Sequence, residues 1–348
     1  MIAPIVTVLG AGAMGSALAT PLRDAGWEVR LWGTWLDDHL VAACRDGQPH
    51  PRTGVPLAAG TELFTAIELP SALDGAELVV LAVASAGAEE VTWRAARHLG
   101  TARAVLLTTK GLAPDTEGRV RLLPEAVADA AGERGITLPP VVAVGGPCKA
   151  NEVAARRPTA SVFAAPDAEL AAELAKSVAT EHYRAEALAD RDGVEVCAPM
   201  KNVYAIALGI ADGLGERGGH PWHDLKAAVF AQAVKELVLL CRSVGGDQAT
   251  AYGLAGAGDL EVTGLSGRNK IYGARIGRGQ SAVAALDAMR VAEQTVEGVP
   301  AARLATHLVD QRAPDTWPAL PLLRAVTGIL DGEADPVTRL TNAVLPST

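Results

Sequence analysis

A glycine-rich turn near residue 10 constrains the fold of this chain more than any other feature. The string Gly10-Ala11-Gly12-Ala13-Met14-Gly15 has the spacing G-x-G-x-x-G; it follows the continuous apolar run Ile5–Leu9 and precedes a helical pattern over Ser16–Asp24. Between a strand and a helix, the first glycine allows a tight turn, the second lets the backbone approach a pyrophosphate, and the third lets the helix pack on the strand. The pattern therefore predicts a dinucleotide site at the N-terminus of that helix, where free N–H groups favour an anion. A turn with a purely structural role is the alternative.

Short apolar runs alternate with helical stretches over the first half of the chain. The candidate strands are Ile5–Leu9, Glu28–Trp32, Glu77–Val83, Ala104–Thr109 and Val141–Val144, with Ser161–Ala165 and His182–Leu188 as edge candidates. Near-continuous apolar strands separated by helices are typical of a parallel sheet covered on both faces. Such a sheet needs right-handed crossovers, so we predict a Rossmann-type, doubly wound α/β domain.

The pattern changes after about residue 192. Segments such as Glu195–Leu214 and His223–Val244 repeat apolar positions at helical spacing, and strand signals nearly vanish. A length of 348 residues is typical of two domains. We therefore expect a Rossmann-type domain over residues 1–192 and an all-α domain over residues 193–348.

Composition and charge narrow the possible functions and partners. The net charge is −9 and there is no Lys/Arg-rich block, so we expect no nucleic-acid partner. The sequence has no run of about 18 apolar residues, so we expect no membrane span. The N-terminus lacks the basic region of a signal peptide. The four cysteines form no C-x-x-C pair, which favours a reducing, cytoplasmic location. The spacing of His220 and His223 is poor for a metal site, so we expect no metal. A homodimer is expected from the fold class alone.

The segment after the second strand bears on the choice of nucleotide. An NAD-binding domain often carries an acid at this strand tip for the ribose hydroxyls. Thr34 stands there instead, and Asp37 follows slightly late, while Arg30 or Arg52 would be able to approach a 2′-phosphate. The segment favours NADP only weakly, so NAD and NADP both stay open.

Three further strings carry residues suited to chemistry. Lys110 follows a strand end, where open α/β sheets bind ligands, although an ordinary loop lysine is the alternative. Lys201 lies inside an apolar helical run, and burial tends to lower the pKa of an ammonium, which suits a proton donor; the alternative is a lysine whose charged end reaches solvent. Asp259 follows a Gly-rich turn, and the pair Arg268-Asn269 suits an oxyanion such as phosphate, although a capped loop between helices has the same composition.

Taken together, these motifs resemble the NAD(P)-dependent glycerol-3-phosphate dehydrogenase family, of which the chain looks like a divergent member. The matching strings are GAGAMGSALA, LWG, TTKGL, GGP followed by Ala150 and Glu152, MKNVYAIA, GAGDLEVT, GRN and VEG at Val296–Gly298. They stand in the family's order and cover most of the chain. The resemblance implies hydride transfer between NAD or NADP and the pair glycerol 3-phosphate and dihydroxyacetone phosphate, as a supply of phospholipid precursors.

The resemblance also implies roles for individual residues, with Lys201 as general acid and base. Catalytic roles are implied for Lys201, Asp259, Lys110 and Thr263. Cofactor contacts are implied for Gly10, Gly12, Ala13, Met14, Gly15, Thr34, Lys110, Ala150, Arg268, Thr295 and Glu297. Contacts with a small phosphorylated substrate are implied for Lys110, Gly146, Cys148, Lys201, Asn202, Asp259, Gly267, Arg268 and Asn269.

Several positions depart from the family pattern in the half that would bind substrate. Cys148-Lys149 follows Gly-Pro where the family has a small residue and an apolar one, and Gln232 stands in a stretch where the family often has a Thr-Arg pair. Two alternatives therefore stay open. One is the same chemistry on a different phosphorylated polyol or ketone, or on a small keto acid. The other is a non-catalytic dinucleotide sensor, which would have no use for Lys201.

Overall fold

The structure is a computed structural model that describes residues 3–333 and 335–345, which form two compact units. Within the described residues, one unit runs to Ala113 and again from Leu122 to Arg191. The other comprises Pro114–Arg121 and continues from Asp192. The division into domains 1–192 and 193–348 stays a prediction, which differs from these units in the short segment Pro114–Arg121.

The first unit is built on an eight-stranded sheet. In chain order the strands are β1 (Ile5–Leu9), β2 (Glu28–Trp32), β3 (Glu62–Phe64), β4 (Leu78–Leu81), β5 (Ala104–Leu107), the separate pair β6 (Leu112–Pro114) and β7 (Val120–Leu122), then β8 (Val141–Gly145), β9 (Thr159–Ala164) and β10 (Tyr183–Leu188). The sheet order is β3-β2-β1-β4-β5-β8-β9-β10. Every pair in it is parallel except β8–β9. The strand order reverses between β1 and β4, where a doubly wound sheet opens a crevice for a ligand.

Seven helices cover both faces of this sheet: α1 (Ala13–Asp24), α2 (Asp38–Arg45), α3 (Leu69–Leu73), α4 (Ser85–Ala95), α5 (Leu123–Gly132), α6 (Ala150–Ala154) and α7 (Ala168–Ser177). Adjacent residues of one strand belong to different cores: Val80 joins the cluster that includes Leu18 of α1, and Leu81 joins the cluster that includes Val127 of α5. Burial on both faces explains why the strands read as continuous apolar runs, and the predicted α/β class is confirmed.

The second unit is helical apart from the short segment that it takes from the β6–β7 pair. Its helices are α8 (Arg191–Gly218), α9 (His223–Ser243), α10 (Gln248–Tyr252), α11 (Asp259–Leu265), α12 (Arg268–Gly277), α13 (Ala282–Val291), α14 (Gly298–Arg312), α15 (Pro321–Leu330) and α16 (Pro336–Val344). Among the described residues, α8 alone is long and apolar enough to cross a membrane, and its apolar window is wholly buried inside the protein. A helix buried to this extent, such as α8, is a core helix of the fold.

Four glycines hold α8 and α12 in direct backbone contact. Gly209 and Gly213 of α8 face α12, and Gly273 and Gly277 of α12 face α8. A Cβ atom on any of the four would stand 2.0–2.2 Å from a carbonyl oxygen of the opposite helix, so no larger residue fits without moving a backbone. We call this contact the glycine seam. It fixes the middle of α8, which carries Lys201 in its first half, against α12, which begins at Arg268.

Candidate active site

The glycine-rich loop between β1 and α1 has the geometry that its sequence predicts. Gly10 has φ +115°, and a Cβ there would lie 2.8 Å from the carbonyl oxygen of Ala82. A Cβ on Gly15 would lie 2.0 Å from the carbonyl oxygen of Gly10. The first glycine thus permits the turn and the third permits close packing of α1.

The start of α1 fits a dinucleotide pyrophosphate. The helix begins at Ala13 with Gly12 as N-cap, no side chain caps it, and its first turn holds no acid. The first helical hydrogen bond in this turn is donated by the Ser16 N–H to the Gly12 carbonyl, at 3.0 Å. The N–H groups of this turn that precede Ser16 therefore lie at the positive end of the helix dipole. Gly12 carries no side chain, which leaves space beside them for an anion.

Asp37 ties the tip of β2 to this loop. Its carboxylate accepts hydrogen bonds from the Thr34 N–H at 3.0 Å, the Thr34 hydroxyl at 2.8 Å and the Ala11 N–H at 3.3 Å, and the side chain is buried. The acid nearest to the ribose position is therefore bonded internally. Sequence reasoning placed Asp37 near this tip but missed its bond to the glycine-rich loop.

A second tie comes from His50, which the sequence did not single out. The imidazole is buried, with Nε2 2.9 Å from the Ala11 carbonyl oxygen. Nδ1 accepts the backbone N–H of Arg52 at 3.2 Å, so the proton of the neutral ring lies on Nε2 and is donated to Ala11. Burial lowers the pKa of His50, which favours this neutral form.

Of the two arginines proposed near the ribose, Arg30 is engaged elsewhere. Its guanidinium lies 3.3 Å from a carboxylate oxygen of Glu28 and 3.6 Å from one of Glu62, and it donates to the Asp74 carbonyl at 2.6 Å. Arg52 instead has its Nη1 3.6 Å from the point where a Cβ on Gly12 would stand.

Lys110 lies on a loop held against the end of β4. The hydroxyl of Thr108 donates to the Leu81 carbonyl at 3.1 Å, and that of Thr109 donates to the Val83 carbonyl at 2.9 Å. These bonds place the half-buried Lys110 just beyond the carboxyl ends of β4 and β5, which is where the sequence predicts a ligand.

The segment after β8 holds Gly146, Cys148 and Ala150. Gly146 has φ +98°, and Cys148 and Ala150 pack against the apolar cluster on the α1 face of the sheet. Lys149, one of the departures from the family pattern, has its Nζ 3.6 Å from a carboxylate oxygen of Glu152 on α6. Cys148 therefore contributes to packing, its contact with substrate stays a prediction, and Lys149 has an acidic neighbour.

The helical unit buries an ion pair between Lys201 of α8 and Asp259, the first residue of α11. The side chain of Lys201 is 9% exposed and that of Asp259 is 1% exposed. The hydroxyl of Thr263 donates to the Asp259 carbonyl at 2.6 Å, one turn along α11. A π-helical turn over Leu254–Gly258 precedes Asp259 and sets its position. The pair brings together two of the predicted catalytic residues, 58 positions apart in the chain.

A second group of predicted residues meets at Glu297. Its carboxylate accepts a hydrogen bond from Asn202 Nδ2 at 3.3 Å and lies 3.7 Å from a guanidinium nitrogen of Arg268. The side-chain oxygen of Asn269 accepts the N–H of Gly298, the first residue of α14, at 2.8 Å. A Cβ on Gly298 would stand 2.5 Å from the Asn202 carbonyl oxygen, so α14 begins directly on α8. Gly267 is the N-cap of α12, and Thr295 is exposed in the loop before α14.

Glu236 is a buried carboxylate that sequence reasoning missed. It accepts hydrogen bonds from the Tyr204 hydroxyl at 2.9 Å, Gln232 Nε2 at 3.0 Å, and the N–H groups of Leu322 at 2.5 Å and Leu323 at 2.9 Å. The last two belong to the first turn of α15, so the carboxylate caps that helix. Burial raises the pKa of Glu236. The departure at Gln232 therefore provides a neutral donor to a buried acid. The sequence signal that could have identified Glu236 is an acidic residue at an apolar position of the helical pattern that forms α9.

No group of three or more His, Cys, Asp or Glu side chains within residues 3–333 and 335–345 is arranged to hold a metal ion. His220 and His223 lie at the turn between α8 and α9, and both are exposed.

Comparison with known proteins gives one consistent result. The sequence profile of the NAD-dependent glycerol-3-phosphate dehydrogenase N-terminus matches residues 5–171, and that of the C-terminus matches residues 190–341. The chain is 37% identical over 316 residues to NADP(+)-dependent glycerol-3-phosphate dehydrogenase of Archaeoglobus fulgidus, covering 90% of this chain and 92% of that protein. It is 37% identical over 338 residues to glycerol-3-phosphate dehydrogenase [NAD(P)+] of Thermus thermophilus, covering 96% of each.

A solved structure agrees with these sequences. The crystal structure of glycerol-3-phosphate dehydrogenase from Coxiella burnetii matches with a TM-score of 0.83 and 30% identity over 98% of both chains. The predicted resemblance is confirmed, and the chain belongs to the NAD-dependent glycerol-3-phosphate dehydrogenase family.

Proposed function

We propose that this protein interconverts glycerol 3-phosphate and dihydroxyacetone phosphate with NAD or NADP, and that Lys201 donates and accepts the proton. The observation that carries the proposal is the buried Lys201–Asp259 pair in a chain that belongs to this dehydrogenase family. The nucleotide, when bound, supplies or accepts the hydride at C2 of the substrate. Its pyrophosphate would be held by the N–H groups at the start of α1, around Gly12.

Lys201 supplies what the carbonyl oxygen needs during reduction. Negative charge develops on that oxygen, and an ammonium at Nζ stabilises it and then transfers a proton to it. The carboxylate of Asp259 favours the charged form of Lys201 and holds Nζ in one place, because both side chains are buried and in contact. In the oxidative direction the neutral amine accepts the proton from the C2 hydroxyl.

Arg268 and Asn269 are proposed to bind the substrate phosphate. They begin α12, and a guanidinium binds two phosphate oxygens in a bidentate manner. Arg268 already has an acidic neighbour in Glu297, at 3.7 Å, so we expect substrate to compete for this guanidinium. Lys110, at the carboxyl ends of the strands, adds a further cation for the substrate or cofactor in this proposal.

The finer assignments of place and assembly are also proposals. We propose a cytoplasmic homodimer that supplies the glycerol backbone of phospholipids. Within the described residues none of the four cysteines forms a disulfide, which supports a reducing compartment. Analytical ultracentrifugation of the purified protein tests the dimer, which a monomer at micromolar concentration would rule out.

The experiment for the main proposal is a steady-state assay of NADH and NADPH oxidation with dihydroxyacetone phosphate. We expect Lys201→Ala to lower kcat by about 10²–10⁴-fold, because a positioned general acid contributes that much. Lys235→Ala is the matched control, since this lysine lies exposed on α9. Unchanged kcat in Lys201→Ala would refute the assigned role.

A substrate panel separates the alternatives. Other phosphorylated ketones and small keto acids are assayed beside dihydroxyacetone phosphate. If one of these compounds has a higher kcat/KM than dihydroxyacetone phosphate, it becomes the assigned substrate, and the assigned chemistry stays the same. Cofactor binding with no turnover of any ketone would favour a sensor, a role that leaves the buried Lys201–Asp259 pair without a use.

A further inference from the structure

We propose that Cys197 and Cys241 are a modification site: hydrogen peroxide oxidises the two thiols to a disulfide, which ties α8 to α9 beside Lys201 and lowers turnover. The site itself does not depend on the proposed function, but its effect on turnover rests on that function. Three observations in the helical unit support the inference: the contact of the two sulfur atoms, their burial, and the position of Lys201 between two contacts of α8 with α9.

The two thiols lie in contact across neighbouring helices. Cys197 belongs to α8 and Cys241 to α9, and their Sγ atoms are 3.4 Å apart. The S–H of Cys241 donates to the Gly193 carbonyl at 3.7 Å, so Cys197 is the donor in the contact between the two sulfur atoms. A disulfide bond is about 2.05 Å long, and the sulfur atoms must therefore approach by about 1.4 Å. Packed helices commonly shift by about 1–2 Å in conformational transitions.

Burial determines which oxidant can reach this pair. Cys197 and Cys241 are both 0% exposed, and both are reduced thiols. A bulky disulfide reagent is excluded from such a site, whereas hydrogen peroxide is nearly as small as water and enters when the helices open transiently. Cys44 and Cys148 are half-buried, so a bulky reagent meets those two thiols first.

The contact between the sulfur atoms determines the product of oxidation. One thiolate attacks an oxygen of hydrogen peroxide, the O–O bond breaks, and a sulfenic acid forms while the departing hydroxide takes up the thiol proton. The second thiol attacks the oxidised sulfur, the S–O bond breaks, the S–S bond forms, and water leaves. Two thiols are oxidised, one peroxide is reduced, and two water molecules form. Because the second thiol is already in contact, it traps the sulfenic acid before further oxidation, and a dithiol reductant restores the pair.

Lys201 lies between two contacts that join α8 to α9. Cys197 stands four residues before it, and Tyr204 stands three residues after it, with its hydroxyl donating to Glu236 of α9 at 2.9 Å. Helical residues separated by three or four positions share a face, so Cys197, Lys201 and Tyr204 lie along one side of α8. A disulfide shortens the first contact and leaves the second unchanged. The turn of α8 that holds Lys201 must therefore move relative to α9.

The segment between Cys197 and Lys201 is able to take up this movement. Pro199 has no N–H, so α8 lacks the hydrogen bond that an N–H at this position would donate to the Glu195 carbonyl. Helices bend most readily at such a position. Lys201 contacts the carboxylate of Asp259, and misplacement of a catalytic group by about 1 Å can lower a rate by about 10²-fold. We therefore expect the disulfide to lower kcat by about 10- to 100-fold.

The experiment combines peptide mapping with the turnover assay. The reduced wild type is treated with hydrogen peroxide, and mass spectrometry of peptides kept under non-reducing conditions identifies any disulfide. We expect a disulfide that joins Cys197 to Cys241, a fall in kcat with dihydroxyacetone phosphate of about 10- to 100-fold, and reversal of both by dithiothreitol. Cys197→Ala and Cys241→Ala should keep their kcat in peroxide. The control Cys44→Ala should lose kcat as the wild type does.

A peroxide-treated wild type without this disulfide would overturn the site. The effect on turnover is refuted if the disulfide forms and kcat stays the same, or if peroxide lowers kcat equally in Cys197→Ala and Cys241→Ala. It is also refuted if peroxide no longer lowers kcat in Cys148→Ala, because oxidation of that thiol would then be responsible. If the disulfide forms in a protein that turns over no ketone, the proposed function fails and the modification site stands. Thermal unfolding of each variant confirms that it is folded.

Discussion

At the scale of single residues, two of the buried carboxylates in the helical unit, Asp259 and Glu236, have different partners. Asp259 meets a cation, Lys201, and both side chains are largely buried. Glu236 meets neutral donors and the start of a helix. Removal of one member of a buried ion pair leaves an unpaired charge, which typically costs about 3–5 kcal/mol. The first carboxylate is suited to holding a proton donor, and the second to holding α15 in place.

Glu236 makes stability depend on pH, and the sign follows from its environment. Burial raises its pKa above the usual 4.5, so the unfolded chain releases this proton at a lower pH than the folded protein does. Between the two values the folded state binds more protons, and the free energy of unfolding contributed by this group falls as pH rises. Raising pH should therefore make the free energy of unfolding of the wild type fall relative to that of Glu236→Gln, by at most about 1.4 kcal/mol per unit of raised pKa.

Urea unfolding from about pH 4 to about pH 8 checks this expectation. Glu90→Gln is the control, since Glu90 lies on the surface of α4 beside Arg94. A difference between wild type and Glu236→Gln that stays constant with pH would contradict the argument.

At the scale of elements, the glycine seam determines where the proposed catalytic residues stand. Close contact of α8 and α12 is possible only because Gly209, Gly213, Gly273 and Gly277 have no side chain. Dispersion contacts and backbone approach favour such a seam in a packed core, but glycine lowers helix propensity by about 1 kcal/mol per residue. Glycine at these four positions therefore lowers local helix stability but permits the close contact of α8 with α12.

Gly273→Ala should destabilise the protein by about 1–3 kcal/mol or more, because its Cβ would stand 2.0 Å from the Ile206 carbonyl oxygen. The helices must separate to admit it, so kcat should fall as well. Gly87→Ala is the matched control, because Gly87 lies in α4 and has nothing within 4 Å of the position of an added Cβ. This alanine should raise the free energy of unfolding by about 0.4–1 kcal/mol. Chemical unfolding and kcat are measured for both variants. If Gly273→Ala and Gly87→Ala had the same free energy of unfolding, the glycine seam would have space for a methyl group and the argument would fail.

At the scale of the whole molecule, each of the two units carries residues with its own proposed role. The glycine-rich loop, Thr34 and Arg52 lie in the first unit, and Lys201, Asp259 and Arg268 lie in the second. Nucleotide binding and proton transfer are therefore assigned to different units, and a variant that loses one function need not lose the other.

This division predicts that NADPH stabilises the wild type and Lys201→Ala alike. At a concentration about 100 times its dissociation constant, a ligand of the folded state adds about 2.7 kcal/mol to the free energy of unfolding. Differential scanning fluorimetry with and without NADPH measures the shift in Tm. A shift in the wild type that disappears in Lys201→Ala would place Lys201 in nucleotide binding, and absence of any shift would count against the nucleotide site.

The sequence by itself determined what depends on near neighbours in the chain. The turn at Gly10, the start of α1 at Ala13 and the switch from strands to helices are set by glycine spacing and by hydrophobic period, which act over a few residues. The family motifs also located Lys201 and Asp259 before any geometry was known. The short strand β3 escaped prediction because only three partly exposed residues form it.

Only the tertiary structure decided which of these residues meet. The pairing of Lys201 with Asp259, the bonds from Asp37 and His50 to Ala11, and the approach of Arg52 to Gly12 all join segments far apart in sequence. No local pattern encodes such contacts, because they depend on the packing of whole helices and strands, and the seam at Gly273 shows how one missing Cβ sets that packing. The chemistry could be located from the sequence, whereas the contacts that hold its residues in place required the fold.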